Sequence, residues 1–552
     1  MRGAHRITRA PRPHGAWFVI AAATILVAGI GWNAYQAWHQ GWAAEGDTAI
    51  IALRTDDVLS THPPLLGNPT TAGTSGAQDA YHPGPLEFAL LALPLRAWSP
   101  EATGLLIGSA LINGASVALL VLFAHRRGGP LFALAASVWA ALLLWGLGAE
   151  IPHDAYNPHI VLLPLGLFAM LIWSIAHGDR VALPAAVVAA SLIAQSHAYE
   201  VLVVGGFGAL AGVAMLMRRS TTSWRWLVGS AALGVVLWLP PLIDQVKHRP
   251  GNLRTLLDEA RRPSEPAEGL RFALDGLVDT LAPPFRWLGR QPSFADLHSS
   301  PGGPRTAMAV VVLGSLVVLA VVMWRRRRQG SAWLAITALF GLATSTFVAA
   351  RLPQGIASAA PYNHRHWWIT GSLVWFALLW CAADVARERI APAARRWAPA
   401  AAVAVTLVVV VAASSDVDIG ADRGSASFGA LRALVDPVAR AVDGEGPVVV
   451  VGRGAQAFTS IEPGLVSALS LRGIDARVLA GEAKIFGPRR VGDASIRTWV
   501  YVLSGPGAGV APSGATLVAS YDPSADVARG FANAGVSGVA EPIAVYVGAP
   551  EE

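Results

Sequence analysis

Acidic and imidazole side chains gather in the segment that follows the first apolar run of the chain. The segment opens with EGDTAIIALRTDD, residues 45–57, and closes with YHPGPLEF, residues 81–88. Asp47 follows shortly after the apolar run 16–32. A carboxylate held near a bilayer is costly and usually has a function. The chemistry that it could perform is general base catalysis, in which it takes the proton of an attacking alcohol.

Three further segments combine polar groups with apolar flanks. They are EIPHDAYNPH, AQSHAYE and PYNHRHWW, at residues 150–159, 194–200 and 361–368. Their histidines, carboxylates and arginine could transfer protons or stabilise charge that develops on a bound ligand. The candidates that these segments add are Asp154, Asn157, His197, His364 and Arg365.

The composition predicts a polytopic membrane protein. Of 552 residues, 53% are hydrophobic and 14% are charged, against about 25% charged in an ordinary soluble domain. The single cysteine, Cys381, excludes an intramolecular disulfide and any multi-cysteine metal site. The sequence contains no GxxxxGK[ST] phosphate loop, so we do not expect ATP coupling within this chain.

Apolar runs of about 20 residues predict about eleven transmembrane helices. The predicted spans are 16–36, 103–124, 129–148, 159–176, 181–198, 200–217, 225–243, 306–324, 331–350, 367–384 and 397–413. With a cytoplasmic N-terminus, nearly every short arginine cluster falls on the inner side, as the positive-inside rule requires. We therefore predict a multi-pass plasma membrane protein. Its transmembrane module is 1–413, with outward loops 37–102, 149–158, 244–305 and 351–366.

Two shorter apolar segments are interpreted differently. The N-terminal run is expected to be an uncleaved anchor rather than a cleaved signal peptide, because many spans follow it. Residues 86–98 are too short to span and contain Pro94 and Arg96. We expect them to form an amphipathic helix on the outer surface.

Residues 414–552 predict an extracytoplasmic α/β domain. Strand-like stretches alternate with helical ones, which favours a largely parallel sheet. The stretch VVVVGRGAQAF, residues 448–458, resembles a dinucleotide fingerprint, but Ala457 stands where the third glycine belongs. We therefore expect this domain to contact an acceptor glycan, or to serve as an inert cap, rather than to bind a nucleotide.

Three motifs of the membrane module resemble bacterial GT-C glycosyltransferases. They are GDTA at residues 46–49, HPGP at 82–85 and YNPH at 156–159. The resemblance covers about residues 1–385 and implies a GT-C-like fold with an inverting transfer of a sugar from a polyprenyl-phosphate donor. The acceptor would be a cell-envelope glycan or lipid, and arabinose or mannose would be natural donor sugars. Many members carry paired acids after the first span, whereas here Thr48 follows Asp47 and the pair Asp56-Asp57 comes later.

The resemblance implies a role for each candidate residue. Asp47 is predicted to be the catalytic base. The predicted substrate-binding residues are Asp57, His82, Asp154, Asn157, His197, His364 and Arg365. Among them, His82, His364 and Arg365 are candidates for the phosphate, and Asp154 and Asn157 for the donor or acceptor sugar. No cofactor is required, although a divalent metal could bind Asp47, Asp57, His82 and Asp154. Membrane lipids are expected partners, and nucleic acid is not.

Structural roles compete with these assignments. Asp47 could cap the first helix of its loop, the pair Asp56-Asp57 could form a solvated turn, and His82 could hold the turn before Pro-Gly-Pro. Asp154 could cap the helix that starts at Asn157, and His197 could be a packed polar side chain. Trp367-Trp368 is expected to lie in the interfacial aromatic belt, and residues 325–328 to anchor the topology.

Two other functions compete with the transferase. A transporter or flippase of a lipid-linked envelope intermediate is the main alternative, but no internal repeat is apparent and the polar groups lie in loops on one side. A scaffold protein would have no cavity lined by carboxylates beneath the first loop.

Overall fold

The computed structural model describes residues 14–70, 80–218, 224–288, 298, 300–387, 389, 392–415, 425–493, 495–523 and 541–551. The α-helices are α1 His14–His39, α2 Gly46–Asp57, α3 Leu86–Ala97, α4 Gly104–Leu147, α5 Asn157–Ile160, α6 Leu162–Ala176, α7 Ala182–Ser196, α8 Glu200–Met217, α9 Trp224–Leu237, α10 Leu239–Lys247, α11 Asn252–Arg261, α12 Gly269–Leu281, α13 Gly303–Arg325, α14 Gln329–Arg351, α15 Ile356–Ala359, α16 His366–Ala386, α17 Pro392–Ser414, α18 Ser425–Ala441, α19 Glu462–Leu471 and α20 Ala483–Phe486. The strands are β1 Val448–Arg453, β2 Ala476–Arg477, β3 Thr498–Ser504, β4 Thr516–Tyr521 and β5 Ile543–Gly548.

The polytopic helical architecture predicted from the sequence is confirmed. Within the described residues, eight helices are long and apolar enough to cross a membrane, or nine if the bent pair α9–α10 is one span. Each of the eleven predicted spans coincides with helix. The difference in count comes from three places: the merged helix α4, the short helix α7 and the pair α9–α10, which bends by 54°.

Helix α4 joins two predicted spans across a break. Gly129 has φ 77° and ψ −176°, which is a backbone conformation outside the helical region, and Pro130 follows it. Glycine adopts positive φ without a Cβ clash, and proline is tolerated at the start of a new helical segment. The predicted boundary between the spans 103–124 and 129–148 therefore lies at this break.

The arginine-rich connections meet at one end of the helix bundle. Arg126 binds Asp179 with N–O distances of 3.0 and 3.2 Å, and Arg328 reaches Asp384 at 2.6 Å. Arg218 donates to Gln329 Oε1 at 3.3 Å. The predicted inward loops are thus neighbours in space. Residues 1–13, which carry the N-terminal basic cluster, lie outside the described part of the chain.

Two predictions about aromatic and apolar segments are tested by burial. Helix α3 forms where the amphipathic helix is predicted and packs against α2 and α4, with Leu93 75% exposed. The prediction of an interfacial belt at Trp367 and Trp368 is wrong, because both side chains are buried in the bundle core. The Trp368 indole N–H donates to the Gly146 carbonyl at 3.1 Å, which lets a polar edge enter the core.

The C-terminal region is an α/β structure, as predicted, but its sheet is mixed rather than largely parallel. The strand order is β2-β1-β3-β5-β4. Strand β1 pairs in parallel with β2 and β3, whereas β5 pairs antiparallel with β3 and β4. Alternation of strand and helix predicts the parallel half, whereas the antiparallel pairing of β5 depends on contacts that this alternation does not specify.

Helix α2 belongs to the core of the C-terminal region as well as to residues 37–102, the first of the predicted outward loops, which we call loop one. Its Leu53 is buried in the same apolar cluster as Leu465 of α19 and Val450 of β1. This shared core fixes the first loop against the C-terminal domain. The residues that follow α1 are therefore held by two sides of the molecule, the helix bundle and the sheet domain.

Candidate active site

A cavity of about 710 Å³ lies where the first outward loop, the helix bundle and the C-terminal domain meet. Loop one, the segment 150–159, His197 and Tyr199, and Tyr362 and Asn363 line it from the bundle side. The C-terminal domain lines it from the other side through the loop after β1 and through helix α20. The carboxyl end of β1 opens on this cavity, which is where open α/β sheets commonly bind ligands.

Asp47 lines the cavity from the first turn of α2. Asp47 is not the N-cap residue of this helix, which was the structural alternative, because Glu45 occupies that position. The Glu45 backbone N–H donates to Thr48 Oγ1 at 3.0 Å, which completes the cap without Asp47. The side chain of Asp47 is exposed and lies at the positive end of the helix dipole.

His82 and His197 lie together at the cavity wall, with ring centroids 5.3 Å apart. The Ala198 backbone N–H donates to His82 Nδ1 at 3.0 Å, so the neutral ring carries its proton on Nε2. Burial, followed by the neighbouring His197, holds the pKa of His82 well below its usual range. His82 is therefore a neutral hydrogen-bond donor at physiological pH, and not a cation for a phosphate.

Asp154 also lines the cavity and lies in a chain of contacts with two other residues. Its Oδ2 is 2.6 Å from His159 Nδ1, and its Oδ1 accepts the Tyr156 backbone N–H at 3.0 Å. On the far side, Arg365 Nη1 lies 2.9 Å from His159 Nε2. All three side chains are buried. Arg365 is thus brought to the site, but it stands behind His159 and does not line the cavity.

Asn157 and His364 differ in their placement. Asn157 lines the cavity, and its amide donates to the Ser196 carbonyl at 3.1 Å. His364 is buried beside the cavity, where its Nε2 contacts the Ser358 carbonyl at 2.8 Å and its ring packs on Phe272. His364 is not one of the described residues that line the cavity.

Asp57 lies at the opposite end of α2 and does not line the cavity. It is 1% exposed, so it does not form the solvated turn that was the alternative prediction. Arg490 binds both of its oxygens, at 2.7 and 2.8 Å, and Arg489 also contacts it. The geometry places Asp57 as a docking residue for the C-terminal domain rather than as a substrate ligand.

Several cavity residues have no clear signal in the sequence. Lys484 is the one lysine or arginine among the described lining residues, and Glu541 and Gln456 also line the cavity. The Gln456 side chain accepts the Glu541 backbone N–H at 2.9 Å. These residues belong to the C-terminal domain. Their position beside the first loop results from tertiary packing between distant parts of the chain, which local sequence patterns do not reveal. The scarcity of lysine, with two in the chain, is the single feature that singles out Lys484.

The cavity is rich in carboxylates. Glu45, Asp47, Glu150, Asp154 and Glu541 line it together with a single lysine. A ligand atom of Glu150, one of Asp154 and one of His159 lie within 4.8 Å of one another, a grouping that could hold a divalent cation. Of the four residues predicted as metal ligands, Asp154 belongs to this group. A cation on His159 Nδ1 would replace the hydrogen bond from His159 to Asp154.

Two solved structures are similar to this chain over most of its length. No family model and no curated protein matches the sequence. ArnT from Cupriavidus metallidurans, in a crystal structure bound to undecaprenyl phosphate, is similar at 13% identity and TM-score 0.47, covering 97% of this chain and 98% of that one. The Archaeoglobus fulgidus oligosaccharyltransferase, tethered to an acceptor peptide with the NVT sequon, is similar at 11% identity and TM-score 0.41, covering 88% and 69%.

Proposed function

We propose that the protein is a GT-C-type membrane glycosyltransferase. It would move a sugar from a polyprenyl-phosphate donor to a hydroxyl of a cell-envelope glycan or glycolipid, with inversion at the anomeric carbon. The observation that carries this proposal is the position of Asp47, a carboxylate on the wall of a 710 Å³ cavity at the junction of the helix bundle and the C-terminal domain. The predicted motifs around Asp47, His82 and Asn157 all converge on this cavity.

The reaction needs one base and one leaving group. Asp47 takes the proton of the acceptor hydroxyl as its oxygen forms a bond to the anomeric carbon. The bond from that carbon to the phosphate oxygen breaks, and polyprenyl phosphate departs with the electron pair. Because attack and departure occur on opposite faces of the sugar, a single displacement inverts the configuration.

Lys484 and His82 are the proposed contacts of the donor phosphate. Lys484 supplies a positive charge, and the Nε2–H of His82 supplies a neutral donor. Arg365 acts through His159, because it stands behind that ring. His364 and Asp57 have no contact role in this proposal.

A divalent cation fits the charge of the site. One lysine does not neutralise five carboxylates and an incoming phosphate, so anion binding there is unfavourable without another positive charge. Glu150 and Asp154 would hold the cation through their carboxylate oxygens, which suit magnesium or manganese, while His159 keeps its hydrogen bond to Asp154. When bound, the cation would supply charge neutralisation for the leaving phosphate.

The test is a transfer assay with the purified full-length protein. Radiolabelled polyprenyl-phosphate arabinose and mannose are supplied with envelope glycan and glycolipid acceptors, and Asp47→Asn is run beside the parent chain. We expect the variant to lose about 10²–10⁴-fold of the rate, the usual contribution of a positioned base. Asp56→Asn, at the next-to-last position of the same helix and outside the cavity lining, serves as a matched control.

The outcomes of the assay separate the proposal from its alternatives. Transfer that survives unchanged in Asp47→Asn removes this residue as the base. Absence of transfer with every donor, combined with carrier-dependent movement of lipid-linked sugar across vesicles, identifies a flippase instead. In a further arm, EDTA is expected to abolish transfer and added Mg²⁺ or Mn²⁺ to restore it; full activity in EDTA eliminates the proposed cation.

A further inference from the structure

Helix α10 turns its apolar side chains outward and its acidic side chain inward. Four apolar residues share one face of this helix at positions i, i+3, i+4 and i+7, and each is between 41% and 80% exposed: Leu239, Leu242, Ile243 and Val246. Asp244 lies on the opposite side of the helix and is 4% exposed. This pattern is the reverse of the pattern that a helix surrounded by water shows, so the apolar face requires a cover other than water.

Polar contacts hold the inner side of α10 against loop one. Asp244 Oδ1 lies 2.7 Å from His248 Nδ1, and Asp244 Oδ2 accepts the Asn252 backbone N–H at 2.9 Å. The Asn252 side chain accepts the Tyr81 backbone N–H at 2.9 Å and donates to the Tyr81 carbonyl at 3.0 Å. These contacts determine which face of α10 points away from the protein, and they place α10 at the same end of the bundle as loop one.

The apolar face of α10 continues the exposed face of α9, where Val235 and Val236 are 56% and 59% exposed. The two helices meet at an angle of 54°. The 14 residues of α9 extend about 21 Å, which is too short for a hydrocarbon core of about 30 Å. The nine residues of α10, tilted by that angle, add about 8 Å along the axis of α9. With α9 along the membrane normal, α10 therefore ends at the depth of the lipid headgroups.

Basic side chains follow directly after this apolar face. Lys247, His248 and Arg249 are all exposed. Within the described part of the chain, the side chains of Lys247 and Arg249 have no hydrogen bond and no ion pair. The nearby exposed carboxylate of α11, Asp258, is paired with Arg254 at 3.5 Å. Two cations thus stand at headgroup depth, beside an apolar face that continues a membrane-spanning helix.

We propose that α10 docks into the leaflet at the Asp47 end of the bundle and binds anionic phospholipid there. Leu242, Ile243 and Val246 would lie among the acyl chains, and Lys247 and Arg249 would contact the lipid phosphates. An apolar face with a cationic end matches the apolar body and anionic head of such a lipid. None of these residues is among the described residues that line the cavity of Asp47, so the proposal does not depend on the transfer reaction.

The first experiment locates the apolar face with nitroxide spin labels on the full-length protein in nanodiscs of phosphatidylcholine and phosphatidylglycerol. The label is attached to Val246→Cys, because this side chain is 80% exposed and the native Cys381 is fully buried. Val235→Cys on α9 is the control for lipid, and Val510→Cys in the C-terminal domain is the control for water. We expect oxygen, which partitions into the bilayer, to relax the Val246 label as it does the Val235 label. A water-soluble nickel chelate should relax only the Val510 label.

The second experiment measures selection of the anionic head by the delipidated full-length protein in mixed micelles. Phosphatidylglycerol is titrated against phosphatidylcholine, and native mass spectrometry counts the bound lipid. We expect Lys247→Gln/Arg249→Gln to weaken phosphatidylglycerol binding about 30-fold, from about 1 kcal/mol per basic side chain at an anionic surface, with 1.4 kcal/mol corresponding to tenfold. If the double variant does not fold, Arg249→Gln alone is measured, with an expected loss of about fivefold.

The matched control is Arg440→Gln/Arg497→Gln, which removes two charges from exposed arginines of the C-terminal domain. Its phosphatidylglycerol affinity should stay within about threefold of the parent value, because distant surface charges are screened.

The outcomes of the two experiments distinguish lipid from other covers of α10. A Val246 label that the nickel chelate reaches would lie in water, and a label that neither reagent reaches would be covered by another protein or a second copy of this chain. Either result overturns the proposal. Equal losses in the α10 variant and the control mean diffuse surface attraction, and unchanged binding in the α10 variant means that this helix does not select the anionic head; both also overturn it.

Discussion

Asp154, His159 and Arg365 restrict one another through two short contacts. Arginine has no acceptor atom, so His159 Nε2 accepts from the guanidinium at 2.9 Å. The ring proton then lies on Nδ1 and is donated to Asp154 Oδ2 at 2.6 Å. This fixes the tautomer and the ring plane of His159, and it aims the Asp154 carboxylate at the cavity. Arg365 is therefore a positioning residue, one step removed from the substrate.

We predict that Arg365→Gln lowers the transfer rate about 10–100-fold, as loss of an orienting partner behind a site residue typically does. His159 loses the donor that selects its tautomer, so Asp154 is no longer held in one orientation. Steady-state kinetics should show the loss mainly in kcat for a donor that still binds. Arg365→Lys keeps one donor and should recover part of the rate.

The matched control for this prediction is Arg351→Gln. Arg351 lies at the end of α14 and donates to the Ala260 carbonyl at 2.9 Å on the surface. Its replacement should leave the transfer rate unchanged. A rate for Arg365→Gln equal to that of the control would mean that the contact to His159 has no role in positioning the site.

The individual site residues show how far sequence reasoning reaches. Asp47, His82, Asp154, Asn157 and His197 all line one cavity, and each stands in a short motif whose neighbours signal a turn or a helix start. The sequence predicts that Asp57 belongs with them, because it lies in the same loop as Asp47. Its partner Arg490 is 433 positions away, and no local pattern in the sequence predicts that contact.

At the scale of elements, helix α2 links the two parts of the chain. One end presents Asp47 to the cavity, and the other end holds the C-terminal domain through Asp57. The Arg490 guanidinium also donates to the Phe486 carbonyl at 3.4 Å, at the end of the helix that carries Lys484. Docking of the domain and placement of the proposed phosphate contact are therefore mechanically connected.

We predict that Asp57→Asn destabilises the docked domain by about 3–5 kcal/mol, because it leaves the buried Arg490 without its charge partner. Limited proteolysis should cut between the two regions, and transfer should fall because Lys484 loses its position. The apolar pair Asp57→Leu/Arg490→Met should be less destabilised than the single variant.

The neighbouring Asp56 provides the control for this ion pair. Asp56 lies 3.8 Å from Arg96 in an exposed pair, with side chains 35% and 48% exposed. Such surface pairs contribute less than about 1 kcal/mol. Asp56→Asn should therefore leave proteolysis and stability nearly unchanged; an effect as large as that of Asp57→Asn would contradict a specific docking role.

A buried carboxyl at the start of α19 makes the C-terminal domain sensitive to pH. Glu462 is fully buried beside Glu482. Burial, followed by the charge of Glu482, raises the pKa of Glu462 well above its ordinary value of 4.5. In the folded state the carboxyl keeps its proton where the unfolded chain loses it. Stability from this group is thus present at acidic pH and is lost as the pH rises above 4.5.

We predict that Glu462→Gln removes this dependence, because the amide does not ionise. The difference in stability between variant and parent should grow with pH, with a slope of up to about 1.4 kcal/mol per unit. Thermal unfolding of the full-length protein in detergent at pH 5 and pH 8 measures this. Asp443→Asn, at an exposed carboxylate in the turn before β1, should show no such trend.

At the scale of elements, the sequence predicts the helical spans better than it predicts strand pairing or the burial of single side chains, for physical reasons. All eleven apolar runs become helices, since length and hydropathy determine a span almost alone. The sheet is different, because pairing of β5 with β3 and β4 depends on contacts between distant residues and not on local composition. The burial of Trp367 and Trp368 likewise depends on which helices surround them, which hydropathy does not encode.

On the scale of the whole molecule, the helix bundle has two distinct ends. The proposed transferase site lies with loop one and the C-terminal domain, and the arginine-rich connections meet at the other end. The positive-inside rule assigns the second end to the cytoplasm. The proposed chemistry, base catalysis beside an envelope acceptor, requires the first end to face outward.

Cysteine labelling tests this orientation directly, because the single native cysteine, Cys381, is fully buried. We predict that Val510→Cys, at a site 70% exposed in the C-terminal domain, reacts with a membrane-impermeant maleimide in intact cells. Arg326→Cys, at the other end of the bundle, should react only after permeabilisation. The reverse pattern would place Asp47 beside the cytoplasm, away from any envelope glycan, and would leave the outward transferase without a base.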